Sequence, residues 1–131
     1  MKQKITPLLM FEGTAEAAMN LYVSLFDDAS IGTIVRYGKD GPGAERSVMF
    51  ALMSIAGQQF MCLDSAVRHA FTFTPSLSLY VDCATDEEIT RLAERLGEGG
   101  SFLMPLGSHP FARKFAWLTD RFGVSGLLSL Q

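Results

Sequence analysis

The chain has 131 residues, of which 48% are hydrophobic and 19% charged, so it fits one domain with a sizeable core and is not a disordered segment. A formal net charge of -3 argues against nucleic acid or an anionic membrane surface as the main partner. Only two cysteines are present, Cys62 and Cys83, both in apolar runs. They read as buried thiols of a reducing cytoplasm, since a disulfide-framed secreted domain is shorter and richer in cysteine.

Residues 5–11 form an apolar run closed by Glu12-Gly13. Pro7 breaks it, and it is too short for a signal-peptide core or a bilayer span, so it reads as a first strand. Thr14 can cap a helix that places Ala15, Ala18, Met19, Tyr22, Leu25 and Phe26 on one face. Asp27-Asp28 opposes the negative end of the helix dipole, so the helix is expected to stop at Phe26. Residues 31–37 are rich in β-branched side chains and read as a strand, followed by a turn or loop over 38–43. Residues 48–55 and 59–63 read as strands joined by a tight turn at Ala56-Gly57.

The order of elements then begins again. Residues 77–83 read as a strand, and Thr85 with Glu88 matches a capping box. Ile89, Leu92, Ala93 and Leu96 supply the stripe of a second helix, stopped by Gly97, Gly99 and Gly100. Three short strands follow at 102–104, 115–118 and 127–130. Residues 107–114, including His109-Pro110-Phe111, are left as a connection, either solvated or a lid.

Both halves thus read strand, helix, strand, strand, strand. The expected fold class is α+β: a single domain, 1–131, of two βαβββ modules at about 1–66 and 74–131. One face of each sheet lies under its helix and the other needs cover. The modules are expected to pair their curved mixed sheets around a central cleft, a common place for ligands.

Several stretches carry a resemblance. They are Ile5-Thr6-Pro7-Leu8-Leu9-Met10-Phe11, residues 15–26, His69-Ala70-Phe71-Thr72-Phe73-Thr74-Pro75, Met104-Pro105-Leu106-Gly107, Lys114-Phe115-Ala116-Trp117 and Asp120-Arg121-Phe122-Gly123-Val124-Ser125. Together they resemble the vicinal oxygen chelate superfamily of glyoxalases, bleomycin resistance proteins and extradiol dioxygenases. The likeness is nearest to its PhnB-like branch, labelled 3-demethylubiquinone 3-methyltransferase. The resemblance implies metal ligands on the first and fourth strands of each module, which fall here on Pro7, about Cys62, about Ser76, and Leu127. Proline and leucine carry no donor atom, so this quartet cannot supply the three ligands a catalytic zinc or iron needs. His69 and His109 show no short metal-binding spacing with each other or with Cys62, Asp64 or Glu45. The branch pattern continues Phe-Gly-Val-Ser with Trp-Gln where this chain has Gly126-Leu127, which implies a larger pocket lacking one orienting amide.

The label implies methyl transfer from S-adenosylmethionine. The usual fold for that donor has a glycine-rich turn after its first strand, whereas Glu12-Gly13-Thr14 offers one glycine. The expectation is therefore a cytoplasmic small-molecule-binding protein, with no metal and no organic cofactor, forming a homodimer. Its partner would be a small apolar or aromatic molecule, not nucleic acid or membrane. The ligand contacts expected are Met10, Met53, Cys62, Asp64, His69, Met104, Phe115 and Trp117, with His69 the candidate catalytic group. Each has a plainer alternative: core filling for the methionines and aromatics, a turn for Asp64, one backbone hydrogen bond for His69. The rival class is a metal-assisted isomerase, lyase or dioxygenase with a rearranged ligand set.

Overall fold

A computed structural model of the chain describes residues 3–131. It divides into two units between His69 and Ala70. The first carries β1 (Leu8–Phe11), α1 (Ala15–Ser24), β2 (Ala29–Arg36), β3 (Val48–Ile55) and β4 (Gln58–Asp64). The second carries β5 (Ser78–Asp82), α2 (Asp86–Gly97), β6 (Ser101–His109), β7 (Ala112–Thr119) and β8 (Ser125–Leu130). Each unit is a βαβββ module with a four-stranded mixed sheet, in order β1-β4-β3-β2 in the first and β5-β8-β7-β6 in the second. In both sheets the first and last strands of the module pair in parallel, and all other pairs are antiparallel.

In the first module α1 buries Ala15, Ala18, Met19 and Tyr22. The sheet face beneath it presents Leu9, Phe11, Ala51, Met53, Phe60 and Cys62, all buried. Met19 and Met53 are among the most fully enclosed side chains, so dispersion across this layer is large. The β3–β4 turn is Ala56-Gly57, and both residues have positive φ, +50° and +86°. That is the two-residue hairpin geometry matching sheet twist, and glycine accommodates its second position without strain.

Two details of α1 differ from expectation. The helix ends at Ser24, with Leu25 as its C-cap, two residues earlier than the apolar pattern suggests. Thr14 precedes the helix but its side chain makes no cap; the Asp64 carboxylate accepts the N–H of Ala15, the first helical residue.

In the second module Thr85 accepts the Glu88 N–H at 3.1 Å, as the capping box requires. Glu88 reaches back one residue further than the standard box and accepts the Ala84 N–H at 2.6 Å. Ile89, Leu92, Ala93 and Leu96 are buried against the sheet face carrying Ala116, Leu118 and Leu128. The larger difference is β6 and β7. Residues expected to be a connection form a long hairpin, and His109-Pro110-Phe111-Ala112 is its turn region. The hairpin includes Pro105 and Gly107, residues that ordinarily interrupt a strand. β6 is an edge strand with three register shifts against β7, where a missing N–H and a bend are tolerated.

Candidate functional site

Paired residues in a sheet share a face, so the register separates the helix-covered side of each module from the other. In the first module the second face carries Leu8 and Met10 of β1, Met61 and Leu63 of β4, and Leu52 of β3, linked by Leu8↔Met61, Met10↔Leu63 and Leu52↔Met61. Val35 pairs with Phe50 further along. Leu8 and Val35 are exposed, and Met10, Phe50, Leu52, Met61 and Leu63 are half-buried. These residues form an apolar patch, bordered on the same face by the polar row Ser30–Ser54–Gln59.

The second module has a more differentiated face, in three rows that cross all four strands. One row is Met104–Trp117–Leu127–Tyr80, each residue paired with the next. A polar row beside it is Ser101–Thr119–Ser125–Ser78. A third is Gly107–Phe115–Ser129–Asp82. The polar row satisfies itself: Ser101 Oγ lies 3.0 Å from Thr119 Oγ1, and Ser78 Oγ lies 2.6 Å from Ser125 Oγ. Trp117 Nε1 donates to Ser125 Oγ at 2.9 Å, which fixes the indole and leaves its ring in the apolar row.

Three of the sequence candidates lie on the helix-covered side. Met53 and Cys62 are core residues of the first module. Asp64 is 3% exposed, and its carboxylate accepts the N–H groups of Gly13 at 2.8 Å, Ala15 at 3.0 Å and Val48 at 2.9 Å. It is the acceptor that joins β1, the start of α1 and β3 to the end of β4. Burial, reinforced by the Asp64 charge, pushes the Cys62 thiol up to about 12, far from a reactive thiolate. Cys83 is pushed up to about 11, by burial and then by Glu88. Both thiols are free.

Met10 is on the second face of its module, and Met104, Phe115 and Trp117 are together on that of theirs. His69 follows β4, with its Nε2 2.9 Å from Ser65 Oγ and its backbone N–H donating to Glu12 at 3.3 Å. These bonds close the turn after β4. Sequence reasoning grouped Met61 with the strand methionines Met10, Met53 and Met104 as cavity-lining or core, passed over Leu63 and Tyr80, and saw Leu127 only as a failed ligand. The strict alternation Phe60-Met61-Cys62-Leu63-Asp64 holds the signal, but its phase is set only by pairing with β1.

The metal positions implied by the resemblance can now be tested on geometry. Pro7 lies before β1 and offers its carbonyl to the Met61 N–H. Cys62 points under α1, and the residues beside it on the other face are Met61 and Leu63. Ser76 precedes β5, and Leu127 lies in the apolar row. Among the described residues no group of three or more His, Cys, Asp or Glu is placed to hold an ion. The residues do not fit a catalytic metal at these positions.

Among curated proteins no match is found. The model of the 3-demethylubiquinone-9 3-methyltransferase family matches residues 3–128, nearly the whole chain. The chain belongs to that family. A PhnB protein from Bacillus cereus shares 56% identity, over 98% of this chain and 100% of its own, with a TM-score of 0.97. A Pseudomonas aeruginosa protein, PA1353, shares 27% over 99% and 98%, with a TM-score of 0.83. A glyoxylase/bleomycin resistance protein/dioxygenase domain from Frankia sp. shares 16% over 99% and 98%, with a TM-score of 0.64, a likeness of fold alone. The PhnB-like branch and the glyoxalase-type fold expected from the sequence are thus both found.

The architecture usual for binding S-adenosylmethionine, the donor that the family description implies, is not that of this PhnB-like chain either. Each sheet has a single parallel pair, not a doubly wound parallel core. The turn after β1, where such a core would offer N–H groups to a ligand, has those of Gly13 and Ala15 committed to Asp64.

Proposed function

We propose that this PhnB-like protein binds a small apolar or aromatic molecule, without catalytic metal, on the sheet faces turned away from its helices. The observation that carries the reading is the Met104–Trp117–Leu127–Tyr80 row. It is a stripe of one indole, one phenol ring, a thioether and an isobutyl group beside a polar row whose hydroxyls are already paired. A flat apolar ligand gains burial and stacking there, and a strongly polar one finds few free partners. Met10, Met61 and Leu63 supply an apolar surface of the same kind in the first module. The binding protein is a dimer in a reducing compartment, where its free buried thiols persist. No helix of the described residues is long and apolar enough to cross a membrane.

Trp117 is the only tryptophan of the chain, so its fluorescence reports directly on the proposed contact. Titration with naphthalene is expected to quench it and shift its emission, saturating at one ligand per site. Trp117→Ala is expected to weaken naphthalene binding, read by calorimetry. Native mass spectrometry of protein grown with added zinc, iron and manganese is expected to give a dimer mass without ion. One tightly held ion per chain, with an activity abolished by chelator, would establish the metal-assisted enzyme in place of this reading.

A further inference from the structure

His109 ends β6 and stands at the rim of the face just described, beyond the Gly107↔Phe115 pair. Its imidazole packs with two phenyl rings in a three-ring cluster. Phe111 stacks on it, with centroids 5.3 Å apart and planes 18° apart, and Phe115 meets it edge-on at 5.9 Å and 84°. Phe111 and Phe115 also contact each other edge-on at 4.8 Å. Within this aromatic box His109 Nε2 is buried and has no hydrogen-bond partner; among the described residues it alone of the buried side-chain nitrogens and oxygens is so placed. A buried polar atom left unpaired keeps the full cost of losing its water, and ring contacts recover only a small part of that. Such an atom in a native site calls for a partner.

The Phe111 ring is the movable wall of the box. It is 55% exposed at the tip of a hairpin, whereas Phe115 is 8% exposed and built into β7. An exposed phenyl ring stacked flat on an imidazole occupies the place that a flat ligand would take. A hydroxyl is the group that suits the nitrogen beneath, because it can donate to the unprotonated tautomer or accept from the protonated one.

We propose that His109 Nε2 is the hydrogen-bonding anchor for a hydroxyl-bearing aromatic ligand, received by the β6–β7 hairpin as the Phe111 ring swings aside. This rests on the proposed binding of an apolar or aromatic molecule by the second module, and it adds the ligand's functional group and the residue that selects it. His109 is a specificity residue here; no bond of the ligand is made or broken.

The test compares 1-naphthol with naphthalene on the wild type, His109→Phe and Phe111→Ala. Wild type is expected to bind 1-naphthol about tenfold more tightly, the fold-change for one added hydrogen bond. His109→Phe keeps the stacking surface, and is expected to bind naphthalene as wild type does while losing the preference. Phe111→Ala, at an exposed site, is expected to bind 1-naphthol more tightly because no ring has to be displaced. Retention of the preference in His109→Phe, or no preference in wild type, overturns the anchor but leaves apolar binding standing. Failure of both probes to bind wild type overturns the anchor and the underlying reading together. A measurement that needs no variant uses the two histidines of the chain. In ¹⁵N-histidine spectra, 1-naphthol is expected to move the His109 Nε2 resonance further than naphthalene does, with His69 unmoved. Equal shifts from both probes overturn the proposal.

Discussion

The Asp64 carboxylate accepts the backbone N–H of Gly13, 51 residues earlier, at 2.8 Å, and this contact ties the end of the first module to its opening turn. With Ala15 and Val48 also donating, one side chain holds three separate segments. Charge-assisted bonds to a buried carboxylate are the stronger kind, and their loss strands three donors. Asp64→Ala is expected to destabilise the protein by about 3 kcal/mol, read as a lowered urea midpoint. Asp64→Asn keeps one acceptor oxygen and is expected to cost less. Equal stability of the alanine variant and wild type would remove the structural role assigned to this residue.

The two threonines that precede helices are not equivalent. Thr85 makes its cap bond and Thr14 does not. Thr85→Ala is expected to cost about 1 kcal/mol, and Thr14→Ala to stay within about 0.5 kcal/mol of wild type. Thermal melts of the two variants side by side check the difference.

Both thiols should be silent in the native protein. With Cys62 pushed up to about 12 and Cys83 to about 11, almost no thiolate exists at pH 8. Labelling with iodoacetamide is expected to need denaturant, with Cys83, at 8% exposure, modified before fully buried Cys62. Rapid stoichiometric labelling of native protein at both sites would contradict this.

Glu16 and Arg36 form a two-point pair, each guanidinium nitrogen 2.7 Å from a different carboxylate oxygen. The hydrogen bond from Arg36 holds the Glu16 carboxyl below its ordinary 4.5. Since the folded value is depressed, the contribution to stability is present above about pH 4.5 and lost as pH falls through the folded value. The pair is exposed, so the effect is small and screened by salt. Glu16→Gln is expected to flatten the acid limb of the stability–pH curve slightly at low salt. No difference is expected in 1 M salt.

Much of the fold was legible in the sequence, and the reasons are local. α2 has a working cap, a regular stripe and a run of glycines at its end, so propensity and packing agree. The β6–β7 hairpin was hidden because Pro105, Gly107 and Pro110 are turn-like residues that an irregular edge strand tolerates. The site was less legible for a different reason. A strand's two faces alternate residue by residue, so Cys62 and Asp64 cannot share a face with Met61 and Leu63, and a one-residue error in phase reverses the outcome. Trp117 and Met104 were chosen as ligand contacts because bulky side chains in a strand attract notice on either face. The unpaired nitrogen of His109 has no sequence signature at all; it exists only because the hairpin turns Phe111 back over the ring.

The parallel pairs β1–β4 and β5–β8 have a kinetic consequence. In each sheet the strand that comes last along its module sits in the interior, flanked by two others. The β2–β3 and β6–β7 pairs can form as they emerge from the ribosome, but the first strand of each module has no sheet neighbour until its keystone is made. The first module is ready once Asp64 has been made, while the second stays open until β8 arrives. A nonsense or frameshift change between the end of β7 and Ser125 would leave β5 and β7 with exposed, unmated edges, an invitation to aggregation.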